Sequence, residues 1–374
     1  RVYNLTITKG PCSPDGFKRD IYLINGQFPG PLIEADKDDT IVLNVKNELD
    51  EDTTIHSHGI FQRGTPWFDG VPGQTQCGIP PHETFTYKYK VCQTQYIEGL
   101  VGPLVIHEPN DPYRKEYDEE IIVLLQDWYH EGSKKLLATF LSPESEGNEP
   151  SPDNGLINGK NHYNCSWAPK DSHPLDVIEV EGTITKRHNV HRLPINVAQR
   201  YSVIVTADKP KKKYWMRSEM EVGCFPTKPE NLDPLVKAVV SYDGCEDEKC
   251  PSTTAWTDKV DECVDLDSKD LKPYKSKKIP DVTRKIEMVI DFKPDEHNVT
   301  RGYINNVTFN IDVKYPTLNK VYDGITEFDA DQNAFVIGKK EIIDIILINT
   351  TPDYKTLNTI DPIERDTTTI PADG

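Results

Sequence analysis

The pattern of apolar and polar positions reads as β-strand along most of the chain. Phe85, Tyr87, Tyr89 and Val91 alternate with Thr86, Lys88 and Lys90, and this period of two places the apolar set on one face of a half-buried strand. Thr40-Ile41-Val42-Leu43-Asn44-Val45 has the β-branched composition of another strand. The signal recurs at Leu104 to Ile106, Ile121 to Leu125, Tyr201 to Val205, Val236 to Tyr242, Ile286 to Phe292 and Ile342 to Ile348. One or two peripheral helical turns are expected around Ser133 to Phe140, which contains Lys134, Lys135, Leu136 and Leu137. The 29 prolines and 22 glycines gather mostly in turn-like clusters such as Phe28-Pro29-Gly30-Pro31 and Val71-Pro72-Gly73. Many short strands with such punctuation predict an all-β protein built from sandwiches or barrels.

At 374 residues the chain exceeds a single core, since domains run to ~150 residues. Strand signal lapses at Glu108-Pro109-Asn110-Asp111-Pro112 and again over the charged stretch Asp265 to Asp281. The expected units are therefore 1–110, 111–270 and 271–374. The second is shortened near 171–173, and the third is partial.

Charge narrows the function classes. Lys and Arg number 43 against 61 Asp and Glu, a net charge of −18, which repels a phosphate backbone and excludes nucleic acid as a partner. No apolar run approaches the ~18 residues that span a bilayer, and the chain opens on Arg1-Val2-Tyr3 without a charged-then-apolar leader. A mature, soluble protein without a transmembrane segment is expected. Asn-x-Ser/Thr acceptors for N-glycans stand at Asn4, Asn164, Asn298, Asn306 and Asn349. Together with 8 cysteines lacking zinc-type spacing, they point to a secreted, disulfide-containing glycoprotein. Cys245, Cys250 and Cys263 lie in an acidic stretch and read as a stapled loop. No GxSxG, P-loop or GxGxxG context supports a serine hydrolase, kinase or nucleotide-binding role.

Candidate chemistry begins at Thr54-Ile55-His56-Ser57-His58-Gly59. On a strand, residues i and i+2 project to one face about 7 Å apart, so His56 and His58 can reach one metal cluster. Neutral imidazole suits copper, zinc or iron, and the spacing does not choose among them. His188 and His191 have a helical spacing in a strand-and-turn region and make a poor metal pair. His107 and His130 read as structural histidines, and His82, after a Pro-Pro turn, as an exposed one. Asp127, Glu131, Glu179 and Glu181 are carboxylates of the kind that could take a ferrous ion.

The surroundings of the histidine pair are more specific. The run IHSHGIFQRGTPWFDGVPGQTQCGIPPHETFTYKYKV resembles the first copper-binding motif of the multicopper oxidases and the segment after it, in the fungal laccase and ferroxidase branch. YLINGQFPGPLIEADKDDTIVLNVKNEL and VGPLVIHEPNDPY resemble the first domain of that family, LINGK, VIEVEGT and HRLPINVAQRYSVIVTAD the second, and INNVTFN, YPTLNKVYDG and LNTIDPIERDTTTIPADG the third. The resemblance implies tandem cupredoxin-like Greek-key β-sandwiches, two complete and a third partial. It also implies a copper cofactor, four ions per intact chain, and oxidation of phenolic or amine donors or ferrous ion, with dioxygen reduced to water. Carried over, His56 would bind the lone copper of the three-copper cluster and His58 one of its paired coppers. Ser57 stands where the family often has Trp, on the side facing away from the metal.

The other copper motifs depart from the pattern. Val91-Cys92 runs directly into Gln93-Thr94-Gln95-Tyr96 where the second His-x-His would fall, and after His191 only His297 remains. Lys170-Asp171-Ser172-His173 reaches VIEVEGT abruptly, as Asn349-Thr350-Thr351-Pro352 does LNTIDPI. Two ligand histidines cannot assemble the full cluster. The sequence is then either an incomplete representation of an intact oxidase or an inactive cupredoxin-fold glycoprotein with a structural or binding role. The first is favoured, because domain framework flanks every gap and lost strands would leave backbone groups unpaired.

Overall fold

The computed structural model describes residues 1–91, 101–161, 173–225, 232–245, 251, 265–349 and 361–370. Its first unit contains strands β1 (Val2–Cys12), β2 (Arg19–Ile24), β3 (Ile33–Asp36), β4 (Thr40–Asn47), β5 (Thr84–Lys90) and β6 (Leu104–His107). Four of them form one sheet in the order β2-β1-β4-β5, and β3 pairs with β6 in a second. β1 runs parallel to β4, while β5 runs antiparallel to it in a register that sets Ile41 opposite Tyr89 and Leu43 opposite Tyr87. That register follows from the alternation in the sequence: slipping by one residue would turn the buried tyrosines to solvent and the lysines inward. The two sheets close on a core of Leu5, Ile7, Ile41, Leu43, Val45, Tyr87, Tyr89, Leu104 and Ile106.

Beyond it come β7 (Leu125–Trp128), helix α1 (Ser133–Phe140), β8 (Asn154–Ile157), β9 (Leu175–Val180), β10 (Thr183–Val190), β11 (Tyr201–Ile204), β12 (Lys213–Glu219) and β13 (Leu235–Ser241). They pair as β7-β8, β10-β9-β11 and β12-β13. Val177, Val180 and Leu271 form a separate small core. A last sheet, in the order β15-β14-β16, contains β14 (Arg284–Pro294), β15 (Thr300–Ile304) and β16 (Ile343–Asn349), with α2 (Thr317–Tyr322) between its last two strands in sequence. The expected helix at Ser133 to Phe140 is present and buries no residue, whereas α2 was not anticipated.

One expected strand is cut short. Ile121 to Leu124 are not in a sheet, and β7 begins only at Leu125. Asn158 takes the ladder's place: its Oδ1 accepts from the Leu124 N–H at 2.7 Å, and its Nδ2 donates to the Ile122 carbonyl at 3.0 Å. The backbone groups that would recruit a neighbouring strand are thereby satisfied by a side chain, and Ile121 stays exposed.

Among the described residues no helix is long and apolar enough to cross a membrane. Cys224 is disulfide-bonded. Cys12, Cys77 and Cys245 are free thiols, so Cys245 does not serve as the staple expected of it. Cys250 and Cys263, the junction after Val91, Asp171 and Ser172, and Thr350 to Ile360 lie outside the described residues.

Candidate metal centre

The histidine segment is held from both ends and from below. At the end of β4, fully buried Asn47 donates to the carbonyls of Glu51 and Ile79, both at 2.8 Å, and accepts from the Leu49 N–H at 2.9 Å. Thr53 then bridges Ile79. From there the chain runs extended over β5. The Ile55 N–H donates to the Tyr87 hydroxyl at 3.1 Å, and Ser57 Oγ shares a 2.5 Å hydrogen bond with the Tyr89 hydroxyl. Ile55 and Ser57 are buried by these contacts, and His56 and His58 turn to the opposite side. Burial pushes the Tyr89 hydroxyl up to about 12, with the Ser57 bond pulling slightly the other way.

The segment is not a sheet strand, contrary to the expectation, because a turn begins at His58 and Gly59 and ends the extended run. Alternation of side chains survives without the ladder. The two imidazoles lie edge to face with centroids 5.8 Å apart, closer than the i, i+2 spacing of a regular strand. Ser57 points away from the histidine side, as expected.

Hydrogen bonding decides which nitrogens face outward. His56 Nδ1 lies 2.6 Å from the Asp69 carbonyl. A carbonyl only accepts, so Nδ1 carries the hydrogen and Nε2 presents its lone pair, the arrangement typical of a metal-ligating histidine. Asp69 is held there by the turn through Gly70, which has φ +81° and lies so close to the Ile55 carbonyl that a Cβ would stand 1.9 Å from its oxygen. His58 Nε2 is buried and makes no hydrogen bond. A buried imidazole nitrogen without a hydrogen bond is costly unless a charge faces it. The donor chemistry of the pair therefore fits copper, with His56 Nε2 as the nitrogen that its hydrogen bonding leaves available.

Two carboxylates flank the pair. Asp69 Oδ1 is 3.5 Å from His56 Nδ1, and Asp366 Oδ1 is 3.8 Å from His58 Nε2. Burial pushes the Asp69 carboxyl up, against the pull of both histidines. For Asp366 burial acts in the same direction but is outweighed by His58 and Arg200, which hold it well below the usual carboxylate range. At 3.8 Å His58 acts by charge rather than by a hydrogen bond. Arg200 makes the direct contacts, bidentate at 2.6 and 2.7 Å. Among the described residues no three His, Cys, Asp or Glu side chains are placed to hold one metal ion. The pair by itself could supply only part of a coordination sphere.

The remaining candidates are absorbed locally. His130 Nε2 pairs with Asp15 at 2.6 Å and stacks on Phe17, and His107 faces Glu34 at 3.4 Å, so both are structural. His82 is exposed, 3.2 Å from Glu48. His188 lies on β10 and His191 beyond its end, with no helix to bring them together. Among the acidic candidates, Glu131 pairs with Lys135, Glu179 accepts from Ser202 and the Gly182 N–H, and Glu181 is saturated by residues 365–367. Asp127 lies on β7. Asn4 is exposed on β1 and accepts from Asn44, while Asn298 and Asn306 occupy exposed turns with φ of 60° and 64°. Asn349 ends β16, and Asn164 lies outside the described residues. Sequence reasoning missed Asp69 and Asp366. Asp69 lies inside the quoted run, in Trp67-Phe68-Asp69-Gly70, whereas nothing local marks Asp366.

Comparisons with known proteins bear on the family and the fold. Family models described as multicopper oxidase match residues 6–111, and 119–172 and 171–244. Laccase-1 of Cryptococcus neoformans var. grubii is 33% identical over 393 residues, covering 87% of this chain and 62% of its own length. The crystal structure of the laccase from Botrytis aclada superposes with a TM-score of 0.83 at 27% identity, over 94% of this chain and 72% of that one. Fet3p, described as a multicopper oxidase that functions in iron import, gives 0.81 at 27% identity, over 94% and 73%. The chain spans about three-fifths of the length of the curated relatives it matches.

Proposed function

The chain belongs to the multicopper oxidase family, with the all-β cupredoxin fold of that family, and on this premise we propose that the whole protein is a copper-dependent oxidase of the laccase or ferroxidase type. It takes electrons one at a time from phenolic or amine donors or from ferrous ion and passes four to dioxygen, giving water. His56 and His58 are two of its copper ligands. The observation that carries the reading is the pair of imidazoles 5.8 Å apart, with the Nε2 of His56 freed by the Asp69 carbonyl.

Copper, when bound, supplies the one-electron chemistry. The residues of this chain supply its seat. Tyr87 and Tyr89 fix the segment against the core, the turn at Gly70 brings up Asp69 to set the His56 tautomer, and the flanking carboxylates offset positive charge. The units 1–110, 111–270 and 271–374 are the proposed domains, and the protein is proposed to be secreted, with N-glycans at Asn4, Asn164, Asn298, Asn306 and Asn349.

A second reading, an inactive cupredoxin-fold glycoprotein, draws on the lack of a third metal ligand among the described residues. Intact deglycosylated mass, copper per chain and oxygen uptake with a phenolic donor separate the two. A mass above that of these 374 residues, with about four coppers and donor-dependent uptake, is expected for the oxidase. A mass equal to the chain, negligible copper and no uptake would establish the inactive glycoprotein.

A further inference from the structure

The segment 361–370 is distant in sequence from His58 and reaches it through a latch on the second unit. Glu181 sits in the turn between β9 and β10 with a fully buried side chain. Its Oε1 accepts from Arg365 Nη2 at 2.8 Å and Thr367 Oγ1 at 2.5 Å, and its Oε2 from the backbone N–H groups of Asp366 and Thr367 at 3.0 and 3.1 Å. Both carboxylate oxygens are thus spent on three consecutive residues. The carboxylate of the middle one, Asp366, is gripped by Arg200 at 2.6 and 2.7 Å. Farther along, Thr369 accepts from Asn196 at 2.9 Å and donates to Asp265 at 3.1 Å. What this latch presents to the first unit is Asp366 Oδ1, 3.8 Å from His58 Nε2.

That distance is too long for a hydrogen bond, so the buried His58 nitrogen, which makes no hydrogen bond, meets Asp366 as a charge contact. A carboxylate fixed by a bidentate arginine loses little conformational freedom when it acts. Its negative charge favours positive charge on or beside the imidazole it faces.

We infer that Asp366 is a positioning residue of the His56–His58 site, holding negative charge against the His58 imidazole, and that Glu181 is the anchor on the second unit that places it. The inference rests on the copper reading above and extends it by coupling copper affinity at the first unit to a carboxylate on the second.

The test is copper(II) ion added to the purified, copper-free full-length protein, with affinity read by competition against a chromophoric chelator and the bound ion read by electron paramagnetic resonance. Asp366→Asn keeps the shape and removes the charge, and is expected to weaken His58-dependent copper binding about 10- to 100-fold with a changed copper hyperfine pattern, as for other outer partners of metal ligands. Asp366→Glu is expected to restore most of the affinity. Glu181→Gln is expected to shift affinity in the same direction. Because its buried site makes it prone to unfold, Thr367→Val, which removes a single latch contact, is measured beside it, each with its urea midpoint. Binding that depends on His58 but is unchanged in affinity and spectrum by Asp366→Asn overturns the inference and leaves the copper reading standing. Wild-type protein with no His58-dependent copper binding overturns both.

Discussion

Replacing Gly70 by alanine isolates how tightly the histidine segment is held. Gly70 has φ +81°, and a Cβ there would lie 1.9 Å from the Ile55 oxygen, 2.6 Å from its carbonyl carbon and 3.0 Å from His56 Cα. Contacts so short cannot be absorbed by a rotamer change, since all three atoms are backbone. Ile55 cannot retreat freely either, because its N–H is bonded to Tyr87 and the next inward side chain, Ser57, is bonded to Tyr89. The left-handed conformation costs an L-residue about 1–2 kcal/mol, and forcing atoms into a packed region adds about 1–3 kcal/mol. Gly64 provides the control: its φ is +75°, and a Cβ there meets nothing within 4 Å. Gly64→Ala should therefore incur only the conformational part, reduced by the lower entropy of its unfolded chain. Urea unfolding of the copper-free protein should show Gly70→Ala destabilised by about 1–3 kcal/mol more than Gly64→Ala, with His56-dependent copper binding impaired only in the former. Equal unfolding midpoints for the two variants would refute the claim that the Gly70 turn presses on the histidine segment.

Three further outcomes follow from the same contacts. Ser57→Ala strands the buried Tyr89 hydroxyl and should cost about 1–3 kcal/mol, and adding Tyr89→Phe should recover part of that loss in a double-mutant cycle. Tyr89 itself, pushed up to about 12 by burial, keeps its proton in the folded protein above the ordinary value of 10.0. The stability it confers is complete below that value and is lost as pH rises through the folded one, by about 2–3 kcal/mol in all. Absorbance of tyrosinate near 295 nm and urea midpoints against pH should show a larger loss in the wild type than in Tyr89→Phe, where Tyr201 and Tyr87, also pushed up by burial, still titrate. At the acid end, burial raises the Asp15 carboxyl, but His130, the Phe17 N–H and Asn154 outweigh it and leave it below its ordinary 3.8. Its contribution is present above that value and disappears as pH falls through the lower folded one. Asp15→Asn should therefore be less stable than wild type at neutral pH and lose less on acidification; parallel acid profiles would rule this out.

How much of this was legible in the sequence depends on whether the determinant was local. The alternation from Phe85 to Val91 marked a strand and its buried face, because period-two burial is a property of neighbouring residues, whereas its partner β4 and register came only from the structure. At Ile121 to Leu124 the same reasoning failed. The apolar, β-branched run was present, but Asn158 consumed the backbone groups a sheet would need, and a side chain acting from beyond the intervening helix leaves no periodic trace. For the site, His56 and His58 were legible as a pair and Ser57 as inward-facing, since alternation persists in an extended segment. The absence of a sheet there was not legible, because the bonds that replace the ladder come from the hydroxyls of Tyr87 and Tyr89, which burial pattern alone reads as core. Asp366 was beyond reach. Its position depends on Glu181, Arg200 and Arg365 converging from separate segments, and in sequence each is one charged residue among many.

If His56 and His58 are copper ligands, removing both lowers the copper stoichiometry of metal-reconstituted protein. Wild-type protein and the His56→Ala/His58→Ala variant, matched for folding by circular dichroism, would be loaded under identical conditions and assayed for copper per chain by mass spectrometry. The variant should hold less copper than the wild type and lose the paramagnetic signal assigned to the imidazole-bound ion. Equal copper and identical spectra in the two proteins would contradict ligation by the pair.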